Sequence, residues 1–547
     1  MTQRRPYSTA YRLLALAAVL LAVNPSPSRG QAPPPIDRQA QNDRPKFLVR
    51  VSVDKEYRIY GEGESLTLKV RCEEDAYLYV LYQQADGKIF QIFPNSGQPD
   101  NRIKGKQDVR VPDLDDAFRW VVGPPFGHEV VKVIASKKPV DALSLPGLKE
   151  GRFNPVTVEQ VEGAAKQLAK EPANVWSEHD LAIQTVRKGV PTTPPDAHKR
   201  FGVFFGVSDY EFNELAAASS SKHEGPNVKH PALDAEDMAA LLKQNARLND
   251  ARLYRNAEAT RGQMKQAITE WLPSVSRPGD TVFIFFAGHG TQVPDDANDE
   301  ADGQDEVLLT SDFIDLSILM EMGKRFKDGT APAAWKERFD RLAPTAQQLL
   351  DKARAAAAGV TDEQEKNKIF ARYGGEIEGY LLRQTAVDDD EMGHWIQKLD
   401  GRHVVVIVMA CHSGGLTPSN RNGNKGLESP GRAEARSFDF LKDAFVRLKD
   451  LDQPSLTVMT AAAEAESAIG FNAQRNAFYT VNLKQVVEKN AAPLDARQAH
   501  EQCKLAMAAA FSEINDELRK NNLKPVTPHV PQFFSTENTP VFLKVGH

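Results

Sequence analysis

Two short runs, TVFIFFA at 281–287 and VVVIVMA at 404–410, are apolar at nearly every position. A strand with one wet face alternates apolar and polar residues, so a run without alternation must be covered on both faces. Around these runs the chain changes character at short intervals. RFGVFFGVSD reads as a buried strand, DAEDMAALLKQN as a helix, ARLYRNA as a strand, TRGQMKQAITEWLPSV as a helix opened by Thr260, and SLTVMTAAA and PVFLKV as further strands. A parallel sheet with helices on both faces requires that pattern, which predicts a three-layer α/β/α sandwich with a mostly parallel sheet over 200–547. Ligands of such sheets bind beyond the carboxyl ends of the strands.

The first third of the chain follows a different rule. FLVRVSV, SLTLKV, AYLYVLYQ, KIFQIF, QDVRVP, FRWVVG and EVVKVIAS are short runs separated by turn residues such as Asp86-Gly87. They predict a small all-β sandwich over 46–187, which also takes in a helical stretch, PVTVEQVEGAAKQLAK, and a returning strand, SEHDLAIQTV. With GESLTLKV, AYLYVLYQQADGKIFQIFPN and VKVIASKKP in that order, this unit resembles the DUF4384 family, small β domains attached to exported bacterial enzymes. No residue in it suggests chemistry of its own. A linker is expected at 188–199, where Pro191, Pro194 and Pro195 fit neither a packed helix nor a central strand.

At the N-terminus, Arg4, Arg5 and Arg12 precede LLALAAVLLAV and a small-residue stretch ending at Gly30. This reads as a signal peptide over 1–30 and an exported protein, periplasmic or extracellular, with an uncleaved anchor as the alternative. The apolar stretch is too short for a stable span, and Arg4-Arg5 also permits a twin-arginine signal. QAPPPIDRQAQNDRP at 31–45 reads as a Pro-rich linker.

A hydrophobic content of 41% over 547 residues supports more than one core. The net charge of −6 offers no bulk attraction to nucleic acid or to an anionic membrane, so neither is expected as a partner. Three cysteines make no disulfide framework. Cys72 and Cys503 fall in different units and read as idle buried thiols, whereas Cys411 has a motif around it.

That motif carries the chemistry. TVFIFFAGHG ends at His289 and its glycine, and VVVIVMACHSGG reaches Cys411 and Gly414-Gly415, so two adjacent strands ending there present a thiol beside an imidazole. An imidazole that takes the thiol proton turns Cys into a nucleophile at neutral pH. The oxyanion formed on attack needs preorganised donors, and the N–H groups of Gly290 and Cys411 suit that role if Cys411 begins a turn. The bland alternative is a buried Cys beside a core-satisfied His.

FFAGHGTQ, the acidic loop DDANDEADGQDEVLLTSD, VDDDEM and MACHSGG, in that order, resemble the caspase-like cysteine peptidases (peptidase C14), nearest the metacaspases. FGVFFGVSDY and HPALDAEDMAALL resemble their first strand and first helix. The resemblance implies a caspase-like fold, protein or peptide substrates, a monomer, and a thioester route. His289 would be the base, Cys411 the nucleophile, and Gly290 and Cys411 the oxyanion donors. His412, His403 and His394 are not expected to act as bases.

Metacaspases commonly carry Ser two residues before the catalytic His and Asp two residues before the Cys, where this chain has Ala287 and Met409. A third acidic position of that pocket is retained as Asp234. Loss of the charge that selects a cation puts strict Arg/Lys preference in question. The resemblance further implies calcium as an activator, held by Asp305, Asp389 and Asp390, with a ligand position after the Cys falling at Pro418. Otherwise Asp295, Asp296, Asp299, Glu300, Asp302, Asp305 and Glu306 are a solvated acidic loop. Residues 313–386 read as a helical insertion: a lid, a prodomain-like plug, a cleavable activation segment or an inert surface excursion. Asn420–Ser437 reads as a second candidate processing loop. Three functions stay open: an exported cysteine endopeptidase, a pseudo-peptidase that binds peptides, and a surface-binding module carried by the β domain.

Overall fold

The structure, a computed structural model, describes residues 36–114, 119–144, 153–194, 198–219, 225–296, 303–412, 440–452, 455–462, 476–523, 525, 530–536 and 540–546, with the backbone alone at Cys411, His412 and Ala462. The signal stretch 1–30, Asp299, Glu300, Asp302, Gly414, Gly415, Pro418 and the loop Asn420–Ser437 lie outside the described residues.

The N-terminal unit is a β-sandwich. Its larger sheet runs Asn154–Val156, Ile89–Phe93, Ala76–Gln83, His128–Ser136, Trp176–Val186 and Ile59–Gly61, and a second sheet of Val49–Ser52, Leu68–Cys72 and Asp108–Val111 contributes to the same core. AYLYVLYQ is apolar on both sides because both are covered. Leu78 and Val80 enter the inter-sheet core, while Tyr79 and Leu81 pack under the helix Val158–Leu168. Thr157 and Gln160 form a reciprocal capping box that starts this helix. Residues 36–45, expected as a linker, are docked instead. Ile36 is buried with Tyr79 and Leu81, the Asn42 side-chain amide donates to the Ala173 carbonyl at 2.9 Å, and Arg44 pairs with Asp388, so apolar, amide and charged contacts together anchor the segment.

The second unit contains, in chain order, Arg200–Gly206 (β1), Pro231–Asn245 (α1), Asp250–Arg255 (β2), Thr281–Pro294 (β3), Gln304–Leu308 (β4), Lys336–Ala357 (α2), Glu363–Thr385 (α3), Val387–Asp388 (β5), Asp389–Gln397 (α4), His403–His412 (β6), Leu456–Ala462 (β7), Phe478–Lys489 (α5), Ala496–Lys520 (α6) and Gln532–Ser535 (β8). The sheet order is β2-β1-β3-β6-β7-β8, parallel except for β8. This is the three-layer sandwich that the unalternating runs predict. On β6, Val404, Val406 and Val408 belong to one core, and Val405, Ile407 and Met409 belong to the core beneath α1, α5 and α6. Each buried side chain of this size is worth about 1.5–3 kcal/mol, so the central strands anchor the unit. PVFLKV does not join this sheet: Phe542–Lys544 pairs with Leu494–Asp495, and the edge goes to β8, whose QFFS lacks a long apolar run.

Two expectations change at the carboxyl edge. β3 does not stop at His289. It runs on to Pro294, and Gly290–Pro294 pairs antiparallel with β4, since polar Thr291 and Gln292 suit a ribbon that has left the sandwich. Nor are residues 313–386 a loose excursion. Leu342, Ala346, Ile377, Leu381 and Leu382 of α2 and α3 join the core that contains Val404, Val406 and Val408.

The two units meet through charge. Arg50 and Arg58 of the β-sandwich converge on Asp400 at 2.9 and 2.5 Å, and Lys398 reaches back to Glu178 at 2.9 Å. His179 is sealed between them: the Val51 N–H donates to its Nδ1 at 3.3 Å, and its Nε2 contacts the Gln397 carbonyl at 3.4 Å, where only an N–H makes a bond. Both nitrogens are therefore used by the neutral ring. Burial holds His179 down to about 3, Asp400 opposes this, and Arg50, Lys398 and Arg58 reinforce it. The unfolded state then binds the extra proton first as the pH falls, so the stability is complete above about 6.5 and drains towards pH 3, on the order of 5 kcal/mol in the limit. Unfolding followed from pH 8 to 4 should show this acid limb, and His179→Gln should flatten it. An unchanged limb in the variant would disprove the assignment.

Candidate active site

His289 and Cys411 are Cα partners on the adjacent parallel strands β3 and β6. The register was not legible in either motif alone. It follows from pairing Thr281 with His403, each eight residues earlier, and also sets Ala287 beside Met409 and Gly290 beside His412.

Two residues hold the imidazole that sequence reasoning did not single out. His289 Nε2 lies 2.8 Å from the Pro226 carbonyl oxygen, an acceptor only, so Nε2 carries the hydrogen and Nδ1 of the neutral ring keeps its lone pair. The Tyr210 ring stacks on the imidazole at 5.5 Å with an interplanar angle of 27°, and its hydroxyl accepts the His289 backbone N–H at 3.0 Å. Burial lowers the imidazole pKa from 6.5, against the pull of the Pro226 bond, so the ring is neutral at pH 7 and able to take a proton. Gly288 is required by this packing: a Cβ there would come within 2.9 Å of the Phe286 ring and 3.3 Å of the Tyr210 hydroxyl. Tyr210 does carry a sequence signal, since it closes the SDY that follows β1. Pro226 carries none, because its contribution is a backbone carbonyl.

Ala287 and Met409 are buried side by side in the core that includes Ala461, Ala477 and Phe478. The Thr480 hydroxyl donates to the Met409 sulfur at 2.9 Å. Asp234, on α1, is buried, and its carboxylate accepts the Ala477 N–H at the start of α5 at 3.0 Å. Asp234, Ala287 and Met409 thus lie around one region of the sheet, and of these three Asp234 is the charged one.

Asp305, Asp389 and Asp390 are not gathered into one group. Among the described residues, the carboxylates whose oxygens converge within 4.8 Å are those of Asp295, Asp296 and Asp305. Asp389 is buried at the start of α4, and Asp390 is ion-paired with Arg447 and lies 3.8 Å from Lys46. Of the other histidines, His394 is sealed in α4 with burial pushing it down to about 4, and His403 begins β6 at the far end of the strand from Cys411. Cys72 and Cys503 are free and buried, each pushed up to about 12 by burial, so neither thiol is activated.

Residues 222–322, which contain His289 and end before Cys411, match the family model of the metacaspase, peptidase C14 domain. That stretch is similar to the peptidase C14 domain of metacaspases. Residues 59–139 of the β-sandwich match DUF4384, a domain of unknown function. The chain is similar to metacaspase-1A of Aspergillus oryzae, 27% identical over 142 residues that cover 23% of this chain and 33% of that protein. It is also similar to metacaspase-1 of Emericella nidulans, 35% identical over 142 residues that cover 23% and 35%. The chain thus matches about a third of the length of these curated relatives. A crystal structure of caspase-1 from Spodoptera frugiperda aligns over 66% of this chain and 96% of its own, at 9% identity and a TM-score of 0.33.

Proposed function

We propose that this protein is an exported cysteine endopeptidase that cleaves proteins or peptides as a monomer through His289 and Cys411. The observation that carries the reading is the parallel register that makes these two residues neighbours, together with the Pro226 bond that leaves Nδ1 of His289 as the base. In the forward step the Cys411 thiol gives its proton to His289, and the thiolate adds to the scissile carbonyl. The backbone N–H groups of Gly290 and Cys411 are the proposed donors to the oxyanion. The C–N bond then breaks, the leaving amine takes the proton from His289, and the acyl group stays on sulfur as a thioester. Water, deprotonated by His289, hydrolyses the thioester and restores the thiol.

The apolar Ala287–Met409 pair supports a preference that is not confined to Arg or Lys before the scissile bond, because it gives a cation no counter-charge and leaves Asp234 as the one acid of the three positions. The same pair also favours the second reading, a peptide-binding protein without turnover. Incubation of the full chain with a positional peptide library, beside Cys411→Ala, separates the two. Cleavage by the wild type alone, spread over uncharged as well as basic residues, is the expected result. Binding without cleavage in both proteins would leave only the second reading, and self-cleavage without cleavage in trans would point to the β domain as the working part.

A further inference from the structure

The acidic cluster beside the site has the look of a cation site, yet it already contains a cation of the chain's own. Arg383, near the end of α3 and 8% exposed, donates from Nε to Asp305 Oδ2 at 3.1 Å and from Nη2 to the same oxygen and to the Pro294 carbonyl. Its Nε lies 3.4 Å from Asp296 and 3.8 Å from Asp388. Arg44 of the docked N-terminal segment pairs with Asp388 and donates to the Arg383 carbonyl, and Lys46 pairs with Asp296. Gly379, one turn before Arg383, provides the room: a Cβ there would meet Arg383 Nη1 at 2.9 Å.

These donors do not fit calcium. The ion requires six to eight oxygens at about 2.3–2.6 Å, whereas here a guanidinium holds the central carboxylate and would repel a divalent ion among the same oxygens. We propose that Arg383, supplied by the helical insertion, is the built-in cation of this cluster and locks the β3–β4 hairpin beside His289 without metal. The fork ties the end of β3 through Pro294, β4 through Asp305 and the start of α4 through Asp388, which are the segments that a shared metal would bridge. The tie reaches the site through backbone: Asp305 is the Cα partner of Val293, and the Leu309 N–H donates to the His289 carbonyl at 2.9 Å. Arg383 is therefore a positioning residue. Its consequence for turnover rests on the peptidase reading above, and its occupancy of the cluster does not.

The test compares full-length wild type with Arg383→Gln in chelator-treated buffer, by calcium titration calorimetry and by hydrogen exchange of 290–296 and 303–308. The wild type should show neither heat nor altered exchange up to ~1 mM calcium, the weak end of protein calcium sites. Arg383→Gln should exchange about tenfold faster in the hairpin, and calcium, now admitted, should bind and slow it again. If that variant does not fold, Arg383→Lys, which keeps the charge and loses the fork, should still speed exchange in the hairpin while continuing to exclude calcium. Wild-type protein that binds calcium and tightens its hairpin, or a variant with an unchanged hairpin and no calcium binding, would overturn the proposal. If no peptide is turned over by any of the proteins while the exchange and calcium results hold, the peptidase reading fails and this one stands.

Discussion

His289→Ala is expected to reduce kcat/KM on a cleaved peptide by roughly 10⁴-fold or more, and the double variant with Cys411→Ala should be no worse than either single change, because groups that act as one unit are not additive. The reason lies in the geometry of the base. His289 is neutral because burial disfavours its charge, and its Nε2–H is committed to Pro226, so the only nitrogen able to take the thiol proton is Nδ1. Without it the Nδ1 that takes the thiol proton is gone, and among the described side chains those of His394 and His403 are too far along α4 and β6 to substitute. His289→Asn, which keeps a donor for the Pro226 carbonyl but offers no base, should be as inactive as alanine while retaining the wild-type melting temperature. A variant at His289 that kept a tenth of the activity would remove it from the mechanism.

Asp400→Ala is expected to cost about 3–5 kcal/mol of stability, the usual result of stripping the partner from buried charge. Asp400 is 2% exposed and receives Arg50 and Arg58 from the other unit, and those two guanidinium groups hold its carboxyl well below the usual carboxylate range despite burial. Once the carboxylate is removed, both cations remain sealed between the units, although Arg50 still donates to the Leu451 and Asp452 carbonyls at 3.2 and 2.7 Å. Replacement of Arg50 and Arg58 by Met in the Asp400→Ala background should recover part of the loss, since removing both sides of a buried pair is far less costly than removing one. Urea unfolding measures each step. A loss below ~1 kcal/mol for Asp400→Ala would place this pair with exposed bridges, which are worth that little.

How much of this was legible in the chain differs from residue to residue. Val404 to Ala410 announce a strand covered twice, because the run is short, rich in β-branched residues and without polar alternation. The alternation of FLVRVSV with its neighbours announces a sandwich for the same kind of reason. Position 36, in contrast, stood in a Pro-rich stretch, and its docking depends on a surface that the sandwich builds elsewhere. The extension of β3 beyond His289 was hidden for a related reason, since Thr291 and Gln292 look like a turn until β4 is there to pair with them.

The sequence by itself determined the two fold classes and offered His289 and Cys411 as the candidate pair, with uncharged residues at 287 and 409, because each is a local property of residue type or period. Only the tertiary structure decided which nitrogen of His289 carries the proton and which cation pairs with Asp305. Pro226 lies 63 residues before His289, and Arg383 lies 78 residues after Asp305. Those choices are made by hydrogen bonds between segments that meet only after the core has formed, and no local pattern encodes which distant donor or acceptor will arrive.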